Sequence, residues 1–134
     1  MSTKLIIMVS QQTPLETTMN IRFVTPKMHG LVDYAAAAGL IIFPFILGIG
    51  ESSPIAFWLS VAAGIAVICY SMLTGYTYSA ASVVPFKVHL AIDFVAAAAF
   101  AIAPFIFGFS GLDAMYYWVL SVAVFLLLAV SQTE

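Results

Sequence analysis

Hydrophobic residues along this chain fall in four long runs, without the alternation or narrow stripes of a soluble domain. The runs cover about residues 29–49, 54–74, 88–109 and 113–131, each close to the roughly 20 residues that cross a bilayer core as a helix. Local punctuation divides them. Thr25-Pro26, Ser53-Pro54 and Pro85 after Ser82 read as helix starts, where proline is tolerated in the first turn. Gly48, Gly50, Gly75, Gly108 and Gly111 fall near helix ends. The first and third connections are very short, so the four helices pair as two transmembrane hairpins.

Polar positions within the runs are few, and they recur. Lys27, His29, Asp33, Tyr34, Ala36, Ala37, Ala38, Pro44, Phe45, Ile46 and Gly48 are answered sixty residues later. The second set is Lys87, His89, Asp93, Phe94, Ala96, Ala97, Ala98, Pro104, Phe105, Ile106 and Gly108, reached without a gap. Trp58 falls on Trp118 at the same offset. Such repetition reads as two copies of one supersecondary unit. The expected fold is all-α, a transmembrane four-helix bundle of two tandem hairpins. Repeat 1 covers 25–79 and repeat 2 covers 83–134, behind a cytoplasmic N-terminal segment, 1–24. Each unit crosses the membrane twice, so both copies enter in the same direction. They are then related by a pseudo-twofold axis along the membrane normal.

Composition agrees. Of 134 residues, 63% are hydrophobic and 7% charged, with a mean hydropathy of +1.11. A soluble domain carries about a quarter charged residues, so lipid has to cover most of this surface. Net charge is −2 with no basic cluster, which excludes nucleic acid as a partner. The single cysteine, Cys69, excludes an intrachain disulfide and reads as a small apolar residue. Lys4, Arg22, Lys27 and Lys87 lie on one side of the four crossings, and the outer turns hold only Glu51 and Asp113. The positive-inside tendency then predicts a multi-pass protein of the bacterial inner (cytoplasmic) membrane with both termini cytoplasmic. Lys27, Lys87, Trp58 and Trp118 are the expected interface anchors. Phe57, Tyr116 and Tyr117 join the outer aromatic belt, and Tyr76 and Tyr78 the inner one. At the start of the chain, Lys4 and the short run from Leu5 to Val9 do not make a secretory signal. Met19 directly precedes the repeated region and is expected as a natural translation start.

Histidine and aspartate four residues apart share one helical face. Lys27 points roughly 200° away from His29 and can snorkel to headgroups. An ionised aspartate deep in a bilayer costs about 2.5–3.5 kcal/mol, so Asp33 and Asp93 are expected to face inward. If the first and third helices pack about the axis, His29 approaches His89 and Asp33 approaches Asp93. Ala35 to Ala38 with Gly39, and Ala96 to Ala99, either let helices pack tightly or leave room for an ion, water or flat cofactor. Pro44 and Pro104 lie roughly 22 Å beyond the histidines. With Gly48 and Gly108 they read as a kink and turn at the outer leaflet, the alternative being a gating hinge.

Several chemistries are excluded. There is no phosphate-cradling glycine loop, no paired cysteine ligand set and no serine placed with a histidine and an acid. No catalytic residue is assigned, and an enzyme is not expected. Four uses stay open for His29, Asp33, His89 and Asp93. They pin the bundle by hydrogen bonds with no cofactor, carry ions or protons, hold a divalent metal, or supply two imidazoles to a haem. The leading expectation is a non-enzymatic scaffold or interaction subunit. It is embedded in the lipid bilayer, and its small interior leaves room for self-association or a membrane partner protein.

Each hairpin carries an aspartate early in its first helix and a Pro-aromatic-Ile-x-Gly exit. This pattern resembles the SPW-repeat family of small bacterial integral membrane proteins. At the Ser-Pro-Trp positions stand Phe43-Pro44-Phe45 and Ala103-Pro104-Phe105. Proline and an aromatic are shared; the serine and the tryptophan are not. The resemblance covers residues 25–134 and implies two transmembrane helices per unit. It implies no activity.

Overall fold

Helix hydrogen bonding begins before the lipid-compatible residues do. In the computed structural model, which describes residues 20–134, α1 spans Pro26–Leu47, α2 Pro54–Leu73, α3 Phe86–Phe107 and α4 Gly111–Val130. Lys4 and the start expected at Met19 lie outside the described residues. The starts of α1 and α3 precede the hydrophobic runs by a few residues. Hydropathy marks where lipid begins, whereas the helix starts at its cap. Thr25 Oγ1 accepts from Met28 N at 3.2 Å, and Pro26 needs no partner for its nitrogen. Among the described residues there is no strand, only two isolated bridges.

The ends of α1 and α3 are set by Gly48 and Gly108, both left-handed at φ 67°. Their N–H groups return to the carbonyls of Pro44 and Pro104. The prolines therefore sit inside their helices, one turn before the stop. Pro44 cannot donate to the Leu40 carbonyl, and Ser60 Oγ of α2 donates there instead at 2.7 Å. A side chain of the neighbouring helix thus replaces the missing bond.

The two hairpins are not gapless copies. From α1 to α3 both helix ends shift by 60 residues, but α4 begins at Gly111, 57 residues after Pro54. The turn over residues 48–53 is three residues longer than that over 108–110. Trp58 and Trp118 consequently do not occupy equivalent places, and the counterpart of Trp58 is Met115. Both tryptophans are exposed, and Trp118 Nε1 donates to the Ala101 carbonyl at 3.3 Å.

Packing is tight within each hairpin. A Cβ on Gly64 would stand 2.7 Å from Ile41 Cγ1 and 2.8 Å from the Ala37 carbonyl oxygen, so α1 and α2 meet nearly backbone to backbone. The hydrophobic core gathers toward the end that holds the two short turns, from Leu40, Ala56, Phe100, Phe109, Tyr116 and Tyr117 among others. The last two are corrections to the expected aromatic belt. Tyr117 is fully buried and donates to the Ala56 carbonyl at 2.6 Å, while Tyr116 and Ser60 share a hydroxyl pair at 2.7 Å. A tyrosine belongs inside when its hydroxyl finds a partner there.

Polar clamps close both ends of the bundle. At the end with the short turns Asp113, third residue of α4 and buried, accepts from Gly50 N at 2.8 Å. It also accepts from Ser52 N at 2.9 Å and Ser52 Oγ at 2.6 Å. At the opposite end Val24 bridges Ser131 and Val84 bridges Thr74. This brings the approach to α1, the connection between α2 and α3, and the end of α4 to one side. Between the clamps lies a cavity of about 350 Å³, walled by Ala36, Ala63, Ala96 and Ala99 among other apolar groups. Asp33, Asp93 and Tyr70 also line it. The alanine stretches divide between two surroundings: Ala37 and Ala97 are fully buried, while Ala36, Ala96 and Ala99 border the cavity. Outside, Phe45, Ile46, Phe105 and Ile106 are 67–77% exposed. All four helices are long and apolar enough to span a bilayer, which makes this a multi-pass membrane protein.

Candidate functional site

The four ionisable residues singled out in α1 and α3 come together. His29 Nε2 lies 3.0 Å from Asp93 Oδ2, and His89 Nε2 lies 3.0 Å from Asp33 Oδ2. Within each helix the i,i+4 separations are 3.4 Å for His29 to Asp33 and 3.3 Å for His89 to Asp93. Both histidines are completely buried and both aspartates nearly so. The shared helical face explains the vertical pairing. The cross-pairing follows from the matched positions of α1 and α3, which turn the same face toward each other.

A second layer orients these groups. His29 Nδ1 is 2.8 Å from Ser131 Oγ, and His89 Nδ1 is 2.7 Å from Thr74 Oγ1. Each hydroxyl has one proton, and each donates it to a helix carbonyl at 2.7 Å: Ser131 to Leu127, Thr74 to Tyr70. The hydroxyl oxygen can then only accept from the ring, so Nδ1 carries a hydrogen in both histidines. Nε2 is left to face the carboxylates. Backbone bonds place the hydroxyls. Val24 N donates to the Val130 carbonyl and Gln132 N to the Val24 carbonyl, at 2.9 and 2.8 Å. Val84 N donates to the Leu73 carbonyl and Gly75 N to the Val84 carbonyl, at 2.8 and 3.0 Å.

Each carboxylate also accepts a tyrosine hydroxyl. Tyr70 of α2 donates to Asp93 Oδ1 at 2.6 Å, and Tyr76 donates to Asp33 Oδ2 at 3.2 Å. Tyr76, expected in the inner belt, is instead buried. Its ring fills the space over Gly30, where a Cβ would come within 2.5 Å of it. Burial, and behind it the Asp33 charge, pushes the Tyr76 hydroxyl well above its ordinary range, so it remains a donor. Phe86 closes the site edge-on to His29 at 5.3 Å and stacked on His89 at 5.9 Å. Lys27 and Lys87 are exposed and stay outside the cluster, Lys87 pairing with Glu134 at 3.0 Å. Cys69 is exposed on the bundle surface.

Among the described residues two buried polar atoms lack a hydrogen-bond partner, Ser71 Oγ and His89 Nε2, and the second belongs to the cluster. His89 Nε2 is buried within 3.3 Å of two carboxylate oxygens, yet the angles make a hydrogen bond with neither. With neutral imidazoles and ionised carboxylates the cluster would carry two uncompensated negative charges in an apolar surrounding. Two protons or one divalent cation would balance it.

Thr74, Ser131 and Tyr70 were not singled out from sequence. Thr74 and Ser131 are polar residues closing apolar runs, 57 residues apart, and that match is hidden when the halves are aligned at sixty. Comparison with protein-family models, with curated proteins and with solved structures gave no match. The class therefore rests on fold and site: a four-helix, multi-pass membrane protein with a buried His/Asp centre.

Proposed function

We propose that this chain is a small non-enzymatic subunit of the bacterial cytoplasmic membrane, a scaffold or interaction module whose two hairpins are tied by the His/Asp centre. The observation that carries this reading is the crossed bonding of the end opposite the short turns. His29 reaches Asp93 and Ser131, while His89 reaches Asp33 and Thr74. The cytoplasmic placement of that end and of both termini is part of this proposal, supported by Arg22, Lys27 and Lys87. Membership of the SPW-repeat family belongs to the same proposal, supported by the two Pro-aromatic-Ile-x-Gly exits. A second copy or another membrane protein is the partner class, supported by the large apolar side chains left on the outer surface. Asp33→Asn combined with Asp93→Asn should lower the unfolding midpoint and leave ion flux in proteoliposomes at background. Wild-type stability in that double variant would remove the tie. A reporter fused after Glu134 should be active in the cytoplasm; periplasmic activity would reverse the orientation.

A second reading, ion or proton handling, is favoured by the cavity that touches both carboxylates. Flux that disappears in the same double variant while its fold persists would establish that reading over the first.

A further inference from the structure

We propose that His29, Asp33, His89 and Asp93 are the ligands of one divalent transition-metal ion of the zinc class, held in a four-coordinate site between the hairpins. The inference rests on the reading of this centre as the tie between them, and goes further by naming what occupies it.

The hydroxyl relays carry the argument. Ser131 and Thr74 commit their own protons to backbone carbonyls, so each takes a proton from an imidazole Nδ1. A neutral imidazole so held turns a lone pair outward from Nε2. Facing it are carboxylate oxygens, which are acceptors only. Lone pairs then confront lone pairs at 3.0–3.4 Å in four His–Asp contacts. A positive species has to lie among them. A proton fits at His29 Nε2, whose 3.0 Å contact to Asp93 Oδ2 has hydrogen-bond geometry, so the choice between the two kinds falls to His89 Nε2. A proton on it would point along neither oxygen, because neither contact has hydrogen-bond geometry. A metal ion bonds to each donor separately and needs no alignment between nitrogen and oxygen.

Spacing agrees with a single small ion. One donor atom from each of the four residues lies within 4.8 Å of all the others. Bonds of 2.0–2.1 Å in a tetrahedron place its corners about 3.3–3.4 Å apart. Asp93 Oδ2 stands 3.0 and 3.3 Å from the two Nε2 atoms and Asp33 Oδ2 stands 3.0 Å from His89 Nε2, while His29 meets Asp33 through its other oxygen, Oδ1, at 3.4 Å. Outer partners agree as well. Metal-bound histidines characteristically donate their second N–H to a fixed acceptor, and ligating carboxylates are themselves hydrogen-bonded. Both histidines and both aspartates meet that description. Two carboxylates and a divalent ion sum to zero charge, which suits a low-dielectric interior. Two imidazoles favour a transition metal over calcium or magnesium, which take mainly oxygen ligands. A haem fits less well. Carboxylate oxygens stand about the two Nε2 atoms, in the space a porphyrin plane would cross, and the imidazole centroids are 5.5 Å apart.

The test uses the full chain, purified in detergent without a histidine tag, stripped with a chelator and titrated with cobalt(II). We expect one ion per chain by elemental analysis and the intense visible absorption of tetrahedral cobalt. Zinc should bleach that absorption, and about two protons should be released per ion in weak buffer as the metal replaces them. His89→Gln should abolish stoichiometric uptake. Should that variant not fold, Thr74→Val with Ser131→Ala keeps all four ligands and should bind 10–100-fold more weakly. Stripped wild-type protein that takes up no stoichiometric ion, or cobalt binding unchanged in either variant, overturns the proposal. The two readings also fail separately. If Asp33→Asn with Asp93→Asn destabilises a protein that never binds metal, the tie stands and the metal site falls. Stoichiometric metal uptake by the wild-type protein, with no loss of stability in that variant, means the reverse.

Discussion

Thr74→Val is the sharpest probe of how the centre is held together. The substitution preserves shape and removes one hydroxyl at a position with no solvent exposure. That hydroxyl makes two bonds of 2.7 Å, accepting from His89 Nδ1 and donating to the Tyr70 carbonyl. Losing the acceptor strands a buried N–H, which costs about 1–3 kcal/mol. The second bond also matters, because the Thr74 N–H turns to the Ser71 carbonyl at 3.2 Å. The hydroxyl thus takes the helical donor's place at Tyr70, and its loss adds about 0.5–1.5 kcal/mol. A destabilisation of about 2–4 kcal/mol is expected. Equilibrium unfolding in mixed micelles, followed by far-ultraviolet circular dichroism, measures it. Ser121→Ala is the control: it removes a buried hydroxyl that bonds only the Ala97 carbonyl, also at 2.7 Å. That loss should cost about 1 kcal/mol. If Thr74→Val is no worse than Ser121→Ala, the hydroxyl does not orient His89 and the tautomer assignment fails.

Asp113→Ala should loosen the clamp at the short turns by about 2–3 kcal/mol, since water replaces only part of three charge-assisted bonds; an unchanged unfolding midpoint would contradict this. Gly64→Val forces a side chain into the closest approach of α1 and α2 and should cost 1–3 kcal/mol or more. Cysteine cross-linking between these helices would report their separation; cross-linking at the wild-type rate would show that the contact is not close. Tyr70→Phe should destabilise more than Tyr76→Phe, because its bond to a carboxylate is 2.6 Å against 3.2 Å. The opposite order in the same unfolding assay would show that Tyr76 is the stronger support.

The centre was legible in the sequence for an energetic reason. A histidine and an aspartate one turn apart inside an apolar helix have few stable placements, and facing the matching pair is one of them. Its supports were harder to read. Tyr116 and Tyr117 near a helix start satisfy the pattern of a membrane belt and of a core equally well. Ser60 and the Ala56 carbonyl decide it, and both lie more than fifty residues away in sequence. The coincidence of Trp58 and Trp118 at sixty residues concealed the shorter second turn. With it went the correspondence of Thr74 to Ser131. Asp113 read as a charge in an outer turn; its burial depends on amides from the other hairpin.

Ownership of the centre is divided in an unusual way. Each imidazole is carried by one hairpin and aimed by a hydroxyl from the other, and its nearest carboxylate also comes from across. Half of the chain, folded alone, would hold loose rings with nothing to steer them. Two halves meeting as separate polypeptides would restore every contact, so severing the link between α2 and α3 should be chemically silent. Removing either partner should not.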